Sequence, residues 1–151
     1  MAKFLIDINL KGKTAIITGA TKGIGRACSI ALHQVGANII ALGRNKKELL
    51  SLKKKLRTRI KIYQCEMIDY ENLRNIVMSQ KKIDVLINNA GTNLPEPFLK
   101  VKQSSLNTLL NINTKSAFNM AKLCVDKMLE HKNRKKIGGA VVHISSMFGL
   151  V

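Results

Sequence analysis

The chain has 151 residues, 46% of them hydrophobic, which is enough for one compact domain with a buried core. Its 26 Lys and Arg against 9 Asp and Glu give a net charge of +17, but the lysines are dispersed over polar helix faces and aromatics are only 4%, which argues against a nucleic-acid binder. Cys28, Cys65 and Cys124 lie far apart and His33, His131 and His143 form no cluster, so neither a zinc site nor a disulfide framework is expected, and no run approaches the ~18 apolar residues of a membrane span.

Strands and helices alternate along the chain. Residues 13–19 (KTAIITG) form a continuous apolar strand ending in glycine. Residues 23–36 follow as a helix, with Ile24, Ala27, Ala31 and Val35 at helical spacing and Gly36 as its stop. Residues 37–43 (ANIIALG) are a second strand. The helix over 45–57 opens on Asn45 and Glu48, a capping-box-like pair, and keeps Leu49, Leu52 and Leu56 on one face. A third strand spans 60–66, and Asp69 caps a helix with Leu73, Ile76 and Val77 inside. Residues 83–89 (IDVLINN) form the fourth strand. The prolines of TNLPEPF (92–98) make a loop. A long helix runs from about Ser104 to His131, a basic turn (HKNRKKIGG) follows, and GAVVHIS (139–145) is the fifth strand.

Apolar strands alternating with helices predict a parallel sheet covered on both faces, a doubly wound Rossmann-type α/β fold. Such sheets bind ligands at the carboxyl ends of their strands. The first strand runs directly into TGATKGIG: Thr18, Gly19, Ala20, Thr21, Lys22, Gly23, Ile24 and Gly25. Glycines there permit a sharp turn, a close ligand approach and tight helix–strand packing, and the helix start then offers N–H groups to a phosphate.

This Gly-x-x-x-Gly-x-Gly spacing resembles the classical short-chain dehydrogenase/reductase family. NNAG (Asn88 to Gly91) stands at the end of the fourth strand, LLNINTKSAF places Asn113 in the long helix, and ISSMFG places Ser146 after the fifth strand, as in that family. The resemblance covers the whole chain but only the N-terminal part of the family's domain. It implies a strand order of 3-2-1-4-5 and a single, incomplete nicotinamide-nucleotide-binding domain over 1–151 that stops before the family's Tyr-x-x-x-Lys pair.

The resemblance also implies site roles. Gly19, Thr21, Lys22, Gly23, Ile24 and Gly25 would hold the cofactor's phosphates. Arg44, with Lys22 of the glycine turn as a second cation where the family's basic residue marks NADP preference, would take the 2′-phosphate of NADP, since the end of the second strand reads ALGRN and no acid occurs between Asp7 and Glu48. Glu66 and Met67 stand where the family brackets adenine, usually with Asp. Asn89, Ala90 and Gly91 would pass beside the ribose. Asn113 would help hold a proton-relay water. Ser146 would donate a hydrogen bond to a substrate carbonyl oxygen. Each has a plainer reading: Arg44 as a solvated strand-end charge, NNAG as a strand-end turn satisfied by its asparagines, Ser146 as a turn serine, Asn113 as a core amide bonded to backbone. On the long helix Asn113 falls on an apolar stripe of Leu106, Leu110, Ala117, Ala121, Cys124 and Met128, so a buried amide with polar partners is expected.

Neither tyrosine replaces the family's proton donor. Tyr63 is followed four residues later by Met67, and Tyr70 by Arg74, which supplies no tunable amine. The expectation is therefore an NADP-dependent oxidoreductase acting on a carbonyl or alcohol, 3-oxoacyl-carrier-linked or sugar/polyol-like, whose residues 1–151 alone are inactive. The alternatives are a nucleotide-binding fragment without catalysis and a basic nucleic-acid-binding domain. Reduced thiols and an N-terminus too short in apolar residues for a signal peptide suggest a cytoplasmic protein. The family implies a small-molecule substrate and a homo-oligomer, with no metal and no membrane or nucleic-acid partner.

Overall fold

The computed structural model describes residues 8–133 and 137–146. In chain order the elements are β1 (Thr14–Ile17), α1 (Gly23–Gln34), β2 (Asn38–Gly43), α2 (Lys46–Leu56), β3 (Ile60–Gln64), α3 (Tyr70–Met78) and β4 (Val85–Asn88). A short 3-10 turn (Phe98–Lys100) leads into α4 (Gln103–Leu109), a π-helical turn (Leu110–Lys115) and α5 (Ser116–Leu129), and β5 (Ala140–His143) follows. The strands form one parallel five-stranded sheet in the order β3-β2-β1-β4-β5, the order expected.

The strands read as unbroken apolar runs because both faces of the sheet are covered. Along β1, Ala15 and Ile17 face one layer and Ile16 the other; Ile39/Ala41 against Ile40/Leu42 on β2 repeat the division. One layer packs Leu49, Leu52 and Leu56 of α2 with Cys28, Ile30 and Leu32 of α1. The opposite layer joins Leu73, Ile76 and Val77 of α3 to Met120, Leu123, Cys124 and Met128 of α5. The expected caps are present: Asn45 Oδ1 accepts from Glu48 N–H at 3.1 Å, and Asp69 Oδ1 accepts from Asn72 N–H at 3.1 Å.

Two helix faces differ from expectation. In α1 the buried residues are Gly25 and Ser29, whereas Ile24, Ala27 and Ala31 are exposed and Val35 caps the helix end. The small residues lie inward because α1 approaches the glycine turn too closely for a larger side chain; Ser29 Oγ donates back to Gly25 O at 2.8 Å. In the long helix the stripe from Leu106 to Met128 is not continuous. Leu106 and Leu110 are exposed, and the buried set is Ser116, Met120, Leu123, Cys124 and Met128. The π turn takes in an additional residue and so shifts the phase of everything before it. Asn113 sits within that turn and is exposed rather than buried.

β5 is an edge strand, and its Val141 and Val142 are exposed. The residues Met147 to Gly149 of the serine motif, and part of the basic turn (134–136), lie outside the described residues.

Candidate functional site

The carboxyl ends of β1, β2, β3 and β4 open onto a cleft of about 920 Å³. The glycine turn forms its floor. Gly19 adopts φ 64, and a Cβ on Gly25 would lie 2.4 Å from Gly19 O, so the turn and the start of α1 are in contact along their backbones. The N-cap of α1, Lys22, makes no side-chain cap hydrogen bond, and the first turn holds no acid. The leading N–H groups of a 12-residue helix therefore meet the cleft beside Gly23 and Ile24 without a capping side chain. This donor set suits the phosphates of a dinucleotide.

Thr18, fully buried, ties the floor to the opposite wall. Its Oγ1 accepts from Asn89 N–H and Ala90 N–H, both at 2.9 Å, and lies 3.5 Å from Asn88 Oδ1. Asn89 Nδ2 donates to Thr18 O (3.1 Å) and Gly19 O (3.2 Å), and Asn88 Nδ2 donates to Ala117 O at 2.7 Å. The asparagines of NNAG thus do satisfy a strand-end turn, the plainer reading. Asn89, Ala90 and Gly91 also line the cleft. Thr18 was visible only as the residue leading the glycine turn; its role depends on the β1–β4 pairing, which brings its hydroxyl to a turn 70 residues away.

Of the sequence-derived cofactor residues, Gly19, Thr21, Lys22, Gly23, Ile24, Arg44, Glu66, Met67, Asn89, Ala90 and Gly91 all line this one cleft. Gly25 does not line it and instead packs against Gly19 and Asn89. Gly43, Asn45, Glu48, Cys65, Ile68, Thr92 and Ile112 complete the wall and are not among the expected ligand contacts. Burial pushes the Cys65 thiol up to about 11, with the nearby Glu66 and Asp69 charges adding to the shift against a lowering backbone hydrogen bond at Gly43.

Asn113 meets the cleft's far rim through a reciprocal pair of 2.8 Å hydrogen bonds: Thr92 N–H donates to its Oδ1, and its Nδ2 donates to Thr92 O. A Cβ on Gly91 would lie 3.4 Å from Asn113 Oδ1. The amide finds backbone partners, but on an exposed loop rather than in the core. Ser146 is exposed and follows Ile144, whose N–H donates to Asn88 O at 2.9 Å. It therefore extends the sheet edge next to the NNAG turn without lining the cleft itself. Tyr63 and Tyr70 lie elsewhere: Tyr63 Oη accepts from Gln80 Nε2 at 3.1 Å, and Tyr70 packs on the α3–α5 core layer. Among the described residues no group of three His, Cys, Asp or Glu is placed to hold a metal ion, and no helix is long and apolar enough to cross a membrane.

The family model for short chain dehydrogenases matches residues 13–151. The chain is 33% identical over 143 residues to 3-oxoacyl-[acyl-carrier-protein] reductase of Rickettsia conorii, covering 95% of this chain and 57% of that protein. It is 29% identical over 141 residues to L-xylulose reductase of Mus musculus, covering 93% of this chain and 56% of that one. Serine dehydrogenase from Escherichia coli superposes with a TM-score of 0.81 at 29% identity, covering 91% of this chain and 64% of the other. The chain thus spans little more than half the length of the curated relatives it matches. On its strand order, its glycine turn and the match over 13–151, the chain belongs to the short-chain dehydrogenase family, with the family's Rossmann-type fold.

Proposed function

We propose that the protein is an NADP(H)-dependent oxidoreductase that interconverts a small carbonyl compound and its alcohol, as the names of its 3-oxoacyl-carrier-protein and L-xylulose reductase relatives suggest. The observation that supports the cofactor choice is the pairing of Lys22 and Arg44 on one cleft, with Gly43 and no acid at the end of β2. A carboxylate there would hold a 2′-hydroxyl; a guanidinium suits a 2′-phosphate, which it can meet with parallel N–H donors. The uncapped start of α1 would receive the pyrophosphate. When bound, the nucleotide would supply the hydride that reduces the carbonyl carbon. Ser146 would donate a hydrogen bond to the carbonyl oxygen as charge develops on it, and Asn113 would hold a water near the Thr92 turn.

The proton for that oxygen would come from the family's Tyr-x-x-x-Lys pair, since neither Tyr63 nor Tyr70 lines the cleft. On this reading residues 1–151 alone bind nucleotide but do not turn over. The test is steady-state reduction of a 3-oxoacyl thioester and of a ketose by the full protein with NADPH and with NADH. Lys22 and Arg44 together should favour NADPH by about 3 kcal/mol, on the order of a hundredfold. Arg44→Asp should reverse the preference, and Ser146→Ala should remove most turnover. Equal use of both cofactors by the unaltered enzyme would refute the cofactor choice.

A further inference from the structure

Two carboxylates, Glu48 and Glu66, line the cleft that also holds Lys22 and Arg44. Their partners differ in kind. Glu48 Oε2 lies 3.9 Å from Arg26 Nη1, and the same guanidinium is anchored by donating to Glu48 O and Ser51 Oγ, both at 3.1 Å. Arg26 is not a cleft-lining residue. Glu48 is therefore balanced by a cation that no ligand in the cleft would call on.

Glu66 is balanced by the cation that a 2′-phosphate needs. Its Oε2 lies 4.0 Å from Arg44 Nε, and the two side chains are 59% and 66% exposed, so both are free to exchange partners. The pairing follows from the sheet. Gly43 and Gln64 are in register on β2 and β3, and Gln64 Nε2 donates to Arg44 O at 3.0 Å, which fixes the two strand ends side by side. Glu66 extends its carboxylate one methylene further than aspartate would, about 1.5 Å of added reach.

We infer, on the strength of the NADP reading above, that Glu66 is a specificity-setting residue: it competes with the nucleotide's 2′-phosphate for Arg44 and so moderates the preference for 2′-phosphorylated nucleotides. Binding of the phosphate breaks the Arg44–Glu66 pair and leaves the carboxylate beside a like charge. Both effects oppose the 2′-phosphate and neither opposes a 2′-hydroxyl.

The experiment is isothermal titration of the full protein with 2′,5′-ADP and with 5′-AMP at low ionic strength, for the unaltered protein, Glu66→Gln and Glu48→Gln. The ratio of the two affinities is the readout, because any change in adenine binding affects both ligands and cancels. Glu66→Gln should raise the preference for 2′,5′-ADP about threefold, the middle of the range for an exposed ion pair. Glu48→Gln should leave the ratio unchanged. An unmoved ratio in Glu66→Gln, with the unaltered protein still preferring 2′,5′-ADP, would overturn this inference alone. Equal rises in both variants would overturn it too, since rim charge in general would then be responsible. No preference in the unaltered protein would overturn the NADP reading and this inference with it.

Discussion

Replacing Gly25 with alanine tests whether the glycine turn is built on backbone contact. The new Cβ would meet Gly19 O at 2.4 Å, Asn89 Nδ2 at 2.5 Å and Gly19 C at 3.0 Å. An unstrained contact needs roughly 3.5 Å, so α1 and the turn must separate by about 1 Å. Gly19 cannot simply move away, because the next N–H, of Ala20, is bonded to Leu42 O at 3.0 Å. Overpacking of this kind costs about 1–3 kcal/mol. Displacing the Asn89 amide from Thr18 O and Gly19 O adds about 1–2 kcal/mol, and the better helix propensity of alanine returns about 1 kcal/mol. The net loss of about 1–4 kcal/mol lowers the melting temperature by about 2–16 °C in a domain of this size. Gly23→Ala is the control. Its Cβ would meet nothing within 4 Å, and only the positive φ of 53° opposes it, at about 1–2 kcal/mol. Circular dichroism melts and NADPH titration of both variants decide the matter. A Gly25→Ala protein that melts within about 2 °C of the parent and binds nucleotide equally well would refute the contact argument.

Thr18→Val, nearly isosteric, leaves the N–H groups of Asn89 and Ala90 without their shared acceptor and should cost about 2–4 kcal/mol in urea unfolding; an unchanged midpoint would show that neither bond matters. Burial pushes the Cys65 thiol up to about 11 and the Cys124 thiol up to about 12. Each therefore stays protonated in the folded protein after the unfolded chain has released its proton, so the stability it contributes is complete below pH 9.0 and is lost as pH rises towards those values. Urea midpoints between about pH 8 and 11 should fall less steeply in Cys65→Ala and Cys124→Ala proteins than in the parent, and parallel slopes would contradict this.

Where local chemistry dominates, the sequence was sufficient. Asn45 and Asp69 cap their helices, Leu49, Leu52 and Leu56 face the sheet, and apolar strands take the expected order. The residues proposed to hold the cofactor converge because they stand at strand ends, and strand ends on one edge of a parallel sheet must meet. Helix phase was less legible. Periodicity assigns Asn113 to an apolar stripe only if the helix is α throughout, and the π turn over Leu110–Lys115 breaks that assumption. In α1 the apolar residues Ile24, Ala27 and Ala31 lost the inner face to Gly25 and Ser29, because close approach rewarded small size over hydrophobicity. The Arg26 contacts to Glu48 and Ser51 join two helices, and no pattern within either helix announces them.

The Thr18 hydroxyl also constrains how the protein comes into being. It stands at the end of β1, yet its acceptor role is filled only by Asn89 and Ala90, 71 and 72 residues later. The glycine turn, α1 and β2 can associate early, since their contacts are short in sequence. The wall of the cleft cannot, because β4 must first close a long loop to pair with β1. During synthesis the cleft therefore has a floor well before it has a far side, which is complete only after β4, the NNAG turn and Ile112 have followed. A ligand that touches both sides of the cleft binds the finished sheet and not its first half, and so would favour completion of the fold rather than its beginning.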